Sequence, residues 1–415
     1  MLLAGVLAGT APAAAAGDVV EVVEVSGPID RRLASFVEDA VRGSDAMVVI
    51  LQIDSPAAVD GDAAGLVDVI RSAPVPVAVW VGPEPAVAYG AAAQMLAAAP
   101  IKGAAPGVRI GYLAPTVAGS GGDGESVAAS FPDVPLDLVD GTITVETPVA
   151  GIVEYVSPSI GQFVVGLDGV EVEIGGETVT LATARTEVED GLEVIKPAAD
   201  VRFIEPGLID RTLRLAIRPE AAFFFLVAGL ALVVFEFYAA GPGISAAVGV
   251  GALLIAGYGI SVLPVNWWAV AATAAGVALY TVDFQRNDLR WSTLAGTGLL
   301  AYGGLRLVEL EPQITVVWWP VVLVIVAAVV FFGFAMTTVV RSRFSTVTIG
   351  REHLLGRAGV ADTDLDPEGV VLVDGARWRA RSRRAAAVRG GDPVTVVAVD
   401  GIVLDVEPGT HEPTQ

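Results

Sequence analysis

Apolar and polar positions change rhythm twice along the chain. From Val19 to about Ala99, short apolar runs alternate with helical patterns. Val19–Val25 leads into a helical run at Arg32–Val41, Met47–Ile53 into a second at Ala63–Ile70, and Pro76–Val81 into an alanine-rich helix predicted over Val87–Ala99. Alternation at this spacing predicts an α/β domain with a mainly parallel sheet. Between Gly166 and Ala182 the period falls to two, with Gly175-Gly176 as a hairpin turn. After Ile217 the rhythm is lost in long apolar stretches. Ala221–Tyr238, Ile244–Val262, Trp267–Thr281, Ser292–Val308 and Val316–Val339 are five candidate membrane spans, several of them short for the ~20 residues a crossing needs. From Val347 to Pro408 short strand patterns return, joined by Asp374-Gly375 and Asp400-Gly401, as in a small barrel of OB type. The expected division is a signal peptide over 1–16, an extracytoplasmic α/β domain over 17–217, a membrane region over 218–340, a barrel over 345–409 and a tail over 410–415.

Composition sharpens this picture. A hydrophobic fraction of 53% suits a membrane protein, and the net charge of -22 argues against nucleic acid as a partner. There is no cysteine and there are two histidines, His353 and His411, both in the C-terminal part. Thiolate chemistry, disulfides and a histidine-based triad or metal cluster in the N-terminal domain are therefore excluded. No metal and no cofactor is expected. The start, apolar and then rich in alanine up to Ala16, reads as an export signal, although it lacks a basic n-region. Arg286, Arg290, Arg341 and Arg343 follow the third and fifth spans, whereas Leu263–Asn266 and Glu309–Gln313 carry no basic residue. The positive-inside rule then puts the N-terminal domain outside the cytoplasm of a multi-pass plasma-membrane protein and the barrel inside. Arg218, just before the first span, is the one exception.

Several stretches resemble the long form of the NfeD family: Phe235-Glu236-Phe237, Gly241-Pro242-Gly243 and Val262–Trp267 in the membrane region; Gly356–Gly359, Pro367-Glu368-Gly369, Gly375–Trp378 and Gly401–Val406 in the barrel; and Ala105-Pro106-Gly107, Ile110-Gly111 and Leu167-Asp168-Gly169 in the first domain. Their collinear order carries the resemblance. It implies a Clp-protease/crotonase-like α/β domain, a multi-span α-helical region and an OB-fold barrel. It also implies a stomatin/SPFH-like membrane protein as partner beside the lipid bilayer, and in active members a serine–lysine peptidase that cleaves hydrophobic segments.

The catalytic residues do not carry over. Counting back from Ala105-Pro106-Gly107 puts the nucleophilic serine on Gly90, and no Ser or Cys lies between Ala73 and Gly119. The region Tyr112–Ala150, where the lysine base belongs, has no lysine; Lys102 and Lys196 are the only two in the chain. Where the family has two glycines in its oxyanion cradle, Ala57 and Ala58 stand, and alanine disfavours the positive φ that glycine allows. With nucleophile, base and cradle all changed, covalent catalysis is not expected. Tyr89, Gly90 and Ala91 either line an inherited peptide groove or, with Tyr89, fill the vacated volume. Ser55 reads as a turn or capping residue. Glu236, with Gly241-Pro242-Gly243, either meets a membrane partner or reaches the interface. The run Arg377, Arg379, Arg381, Arg383 and Arg384 suits lipid or protein contact better than nucleic acid, and Gly119–Gly124 lacks the GK[ST] of a phosphate loop. The leading expectation is a pseudoenzyme acting as a scaffold or regulator, with homo-oligomerisation left open. An active membrane-bound endopeptidase and a transport or channel component are the alternatives.

Overall fold

A computed structural model describes residues 17–120, 124–189, 192–197, 200–239, 241–286, 291–308, 313–339, 352–383 and 387–409. The expected signal peptide, Arg290, Arg341, Arg343, Arg384 and the 410–415 tail lie outside these residues. The chain forms two compact units, Met1–Val340 and Arg341–Gln415.

The first unit opens with β1 (Gly17–Ser26), α1 (Arg31–Gly43), β2 (Ala46–Asp54), α2 (Leu66–Arg71) and β3 (Val77–Val81). It continues through β4 (Val87–Tyr89), α3 (Ala91–Ala98), β5 (Ile101–Ala104), β6 (Arg109–Gly111), α4 (Gly124–Ser130), α5 (Asp137–Asp140), β7 (Thr142–Thr144), β8 (Tyr155–Val156) and α6 (Ile160–Gly166). Two hairpins, β9 (Glu171–Ile174) with β10 (Glu177–Thr180) and β11 (Ala184–Glu189) with β12 (Leu192–Pro197), precede β13 (Asp200–Ile204). Six strands form one parallel sheet in the order β13-β1-β2-β3-β5-β8, and β4-β6-β7 form a second sheet. Every side chain of β3 is buried, as expected for a parallel strand covered on both faces. Gly175 and Gly176 turn the β9–β10 hairpin with φ of 59° and 86°.

One predicted element changes. The alanine-rich helix begins at Ala91, not Val87, because Val87–Tyr89 pairs as β4 with β6. A run of small apolar residues looks alike in strand and helix, so periodicity alone does not separate the two.

The membrane region follows α7 (Leu208–Arg214) and comprises α8 (Pro219–Ala239), α9 (Ile244–Val262), α10 (Trp267–Arg286), α11 (Trp291–Leu305) and α12 (Trp318–Val330). The last helix runs on to Val339 through a π-helical turn at Phe331–Met336. Among the described residues three helices, α8, α9 and Trp318–Val339, are long and apolar enough to cross a membrane. At 15 residues α11 rises only about 22 Å, short of a hydrocarbon core of about 30 Å.

Helices α8–α9 and α10–α11 pack through matching glycines. A Cβ on Gly229 would lie 2.9 Å from the Gly249 carbonyl oxygen and 2.7 Å from Leu253; one on Gly276 would lie 2.9 Å from that of Gly296 and 3.0 Å from Leu300. The sequences correspond at one constant offset. Ala228-Gly229-Leu230-Ala231-Leu232 and Glu236-Phe237 match Ala275-Gly276-Val277-Ala278-Leu279 and Asp283-Phe284, while Ser245, Gly249, Gly251 and Leu253 match Ser292, Gly296, Gly298 and Leu300. The two hairpins are internal repeats, and backbone-to-backbone approach at small residues is how helices pack where no hydrophobic effect drives them together.

The second unit is a closed five-stranded barrel of β14 (Ala358–Ala361), β15 (Glu368–Val373), β16 (Ala376–Ser382), β17 (Pro393–Asp400) and β18 (Val403–Pro408). Its order is β14-β15-β16-β18-β17 with β16 parallel to β18, an OB-type arrangement. Asp374 and Gly375, with φ of 49° and 77°, make the β15–β16 turn. Much of the basic run is neutralised within the barrel: Arg377 pairs with Asp362 at 3.1 Å and Arg381 with Asp405 at 3.0 Å.

Candidate functional site

Gly90 joins β4 to α3 with φ 59° and ψ −127°. A sharp strand-to-helix turn of this kind presents a nucleophile in enzymes that carry one, and the amide after it helps hold the oxyanion. Here the turn carries a glycine, and the amide that follows it is already bonded. The Ala91 amide donates to the Thr116 carbonyl at 3.1 Å, and the Gly90 amide donates to that of Tyr112 at 2.9 Å. A Cβ at Gly90 would stand 3.0 Å from the Pro115 carbonyl oxygen, 3.1 Å from that of Thr116 and 3.3 Å from Nε2 of Gln313. Main-chain acceptors occupy the space where a hydroxyl would act.

The segment Tyr112–Ala118 that fills this space is pinned from three directions. Gln94, buried on α3, donates to the Leu113 carbonyl and the Thr116 hydroxyl, each at 2.7 Å. Ala118 donates to the Ala58 carbonyl at 2.7 Å. Gln313, from the connection between α11 and α12, reaches the carbonyls of Tyr112 and Pro115 at 3.4 and 3.3 Å. The membrane region thus closes over the Gly90 turn.

The other expected site residues are covered too. Ala57 and Ala58 are fully buried, and Ala57 shares an apolar cluster with Ala118 and with Phe223 of α8. Tyr89, 5% exposed, lies edge-on to Tyr112 with ring centroids 5.3 Å apart. Burial pushes its phenol above the ordinary range, opposed by Arg109, which disfavours a role as base. Tyr89, Gly90 and Ala91 are buried, so the surface expected to offer a groove lies beneath Tyr112–Ala118. Ser55 is buried and its hydroxyl donates to the Ala57 carbonyl at 3.2 Å. Lys102 donates to the Gly151 carbonyl at 3.1 Å. Among the described residues no group of three or more His, Cys, Asp or Glu could hold a metal ion.

Glu236 is an internal cap. Its carboxylate accepts from the amides of Gly243 at 2.6 Å and Ser245 at 3.2 Å, at the start of α9, and Gly241-Pro242-Gly243 bends around it. A carboxylate complements the positive end of a helix dipole. Asp283 holds the same place in the second hairpin, accepting from the hydroxyls of Ser292 and Thr293.

A second polar cluster, not anticipated from the sequence, joins the α/β domain to the membrane helices. Asp30 is fully buried; it caps α1 by accepting from the Leu33 amide, pairs with Arg214, and accepts from the hydroxyl of Tyr258 on α9. Arg214 also donates to the Ser26 carbonyl at 2.8 Å, and the Arg32 guanidinium lies 5.5 Å from the centre of the Tyr258 ring. An aspartate before a helical run is a signal that could have marked the cap; nothing in the sequence pointed to its two distant partners.

Residues 220–339 match the family model described as the NfeD integral membrane domain, and residues 351–408 match the NfeD-like C-terminal, partner-binding domain. These two segments are NfeD domains. The whole chain is 23% identical over 438 aligned residues to a membrane-bound protease of Pyrococcus horikoshii, covering 94% of this chain and 93% of that one. Among solved structures it is similar to 1510-N, a membrane-bound stomatin-specific protease in complex with a substrate peptide, at 20% identity and a TM-score of 0.38 over 47% of this chain and 96% of that one. It is also similar to the C-terminal domain of a stomatin operon partner protein from Pyrococcus horikoshii, at 35% identity and a TM-score of 0.15 over 15% of this chain and 98% of that one. The architecture is an α/β domain on a parallel sheet, apolar membrane helices and a closed five-stranded barrel.

Proposed function

We propose that this protein is a non-catalytic scaffold or regulator that works with a stomatin/SPFH-like membrane protein. The Gly90 turn carries the proposal: it has no nucleophile, its oxyanion amide is spent on Thr116, and Gln313 of the membrane region lies against it. The partner class is supported by the partner-binding description of the C-terminal family and by the stomatin specificity of the similar protease. The names of those relatives favour the alternative of an active endopeptidase. Incubating the full-length protein with casein, hydrophobic peptides and a serine-reactive fluorophosphonate separates the two. Neither cleavage nor labelling is expected, and reproducible labelling of any serine would overturn the non-catalytic reading.

The repeat also bears on topology. If α10–α11 is a second copy of α8–α9, it is threaded through the bilayer in the same sense although it is shorter and less apolar. We therefore place five spans, with the α/β domain outside the cytoplasm and the barrel within it. The absence of native cysteine makes the test direct. Thr142→Cys, Val265→Cys and Asp288→Cys, each alone, are treated on intact cells with a membrane-impermeant maleimide. Positions 142 and 265 should be modified, and 288 only after permeabilisation; equal reactivity of 265 and 288 would rule out a crossing by α10.

A further inference from the structure

The last membrane-side turn of the α/β domain lines a mixed polar and apolar cavity of about 440 Å³ on which three arginines converge. Arg211, Arg214 and Arg218 follow one another at intervals of three and four residues, which puts them on one side of α7 and the turn after it. Two of them are already engaged: Arg211 with Glu205 at 2.5 Å, and Arg214 with Asp30. Arg218 is exposed and has no carboxylate partner among the described residues. Leu215 and Ile217 give the cavity an apolar side, and Glu24 stands on its lining.

Depth identifies the ligand. Arg218 immediately precedes α8, which is long and apolar enough to span. Exposed tryptophans mark the same end of the bundle: Trp267 and Trp268 open α10, and Trp318 and Trp319 open α12. Paired tryptophans at helix ends sit at the headgroup level. A lone guanidinium at that level, above an apolar wall, faces phosphate on one side and glycerol and chain carbons on the other. Guanidinium holds a phosphate through two parallel N–H donors. The charges also discriminate, since one unengaged Arg218 opposite Glu24 suits a singly charged phosphodiester better than a doubly charged phosphomonoester.

We propose that this cavity binds the phosphodiester of a membrane phospholipid, with Arg218 as its principal ligand. The same inference accounts for a basic residue on the side of the membrane where the positive-inside rule does not call for one.

The experiment uses full-length protein in detergent and follows its thermal unfolding midpoint against added dioleoylphosphatidylglycerol, dioleoylglycerol or inorganic phosphate. Phosphatidylglycerol is expected to raise the midpoint, and its half-saturating concentration should increase at least tenfold in R218A and further in R218E. Arg42→Ala, which removes a surface arginine on α1 paired with Glu38, should respond as the unmodified protein does. Arg218→Lys, which keeps the charge and loses the fork, should fall between. Unchanged saturation in R218A would overturn the proposal. So would an equal shift with dioleoylglycerol, which lacks the phosphate, or a full shift with inorganic phosphate, which would make the site one for the free anion.

Discussion

Asp30→Ala is expected to release the α/β domain from the membrane helices at a cost of about 3–5 kcal/mol, the range for breaking a buried pair by removing one partner. The carboxylate is fully buried and accepts from Leu33, Arg214 and Tyr258 at once. Without it, Arg214, with 12% of its side chain exposed, keeps its charge and its bonds to the Ser26 and Pro28 carbonyls but loses the carboxylate it is paired with. The N-cap of α1 is lost as well, which adds about 1 kcal/mol. Asp30→Asn retains most of the cap and loses the charge, so its advantage over alanine measures the capping share. Tyr258→Phe removes one hydrogen bond to a charged group and should cost about 1.5–3 kcal/mol. A multi-domain membrane protein has no single unfolding free energy, so the measurement is local: amide hydrogen exchange in α1 and near Tyr258. Faster exchange in both segments together is expected for D30A. Exchange unchanged at the Tyr258 end of α9 would mean that the cluster does not hold the domain to the helices.

The same cluster shows where sequence reading stops. The strands of the central sheet were legible because burial on both faces leaves uninterrupted apolar runs, as in Met47–Ile53. The barrel was legible through its Asp-Gly turns, whose backbone demands select those residues. The glycine at the elbow was legible, since no serine lies between Ala73 and Gly119. What fills that position was not: Thr116 reaches Ala91 through a main-chain contact that any residue type could make, and Gln313, whose side-chain amide donates to the Tyr112 carbonyl, comes from far along the chain. Asp30 drew no reading at all, because its partners Arg214 and Tyr258 come from far along the chain. The repeated hairpin is different. The correspondence of Ala228–Phe237 with Ala275–Phe284 is written in the sequence, but judging each span by its own hydropathy hides it.

Restoring a serine at the elbow should not restore an enzyme. Gly90→Ser is expected to remain unlabelled by fluorophosphonate and to be destabilised by about 1–3 kcal/mol, the usual cost of holding a side chain in sparsely populated backbone space. The backbone there, φ 59° and ψ −127°, is one that glycine adopts freely and other residues adopt only when their surroundings force it. The surroundings add to the cost, because a Cβ would press at 3.0 and 3.1 Å on the main-chain carbonyls of Pro115 and Thr116, which cannot swing aside as a side chain would. Gly90→Ala should therefore lose as much stability as Gly90→Ser, showing that backbone and contact set the cost and the hydroxyl does not. The proposed absence of chemistry has a separate ground. Even a tolerated serine would lack a base, since Lys102 is bonded to Gly151, and its oxyanion donor at Ala91 would still be held by Thr116. Adding Gln313→Ala removes only the contact from the membrane region and leaves Gln94 and the Ala118–Ala58 bond holding the segment in place. The double variant G90S/Q313A is thus expected to stay silent, read by probe labelling alongside amide hydrogen exchange across Tyr112–Ala118. Labelling of the introduced serine in either variant would show that Tyr112–Ala118 opens on the probe's timescale, making the segment a lid over a site one substitution from activity.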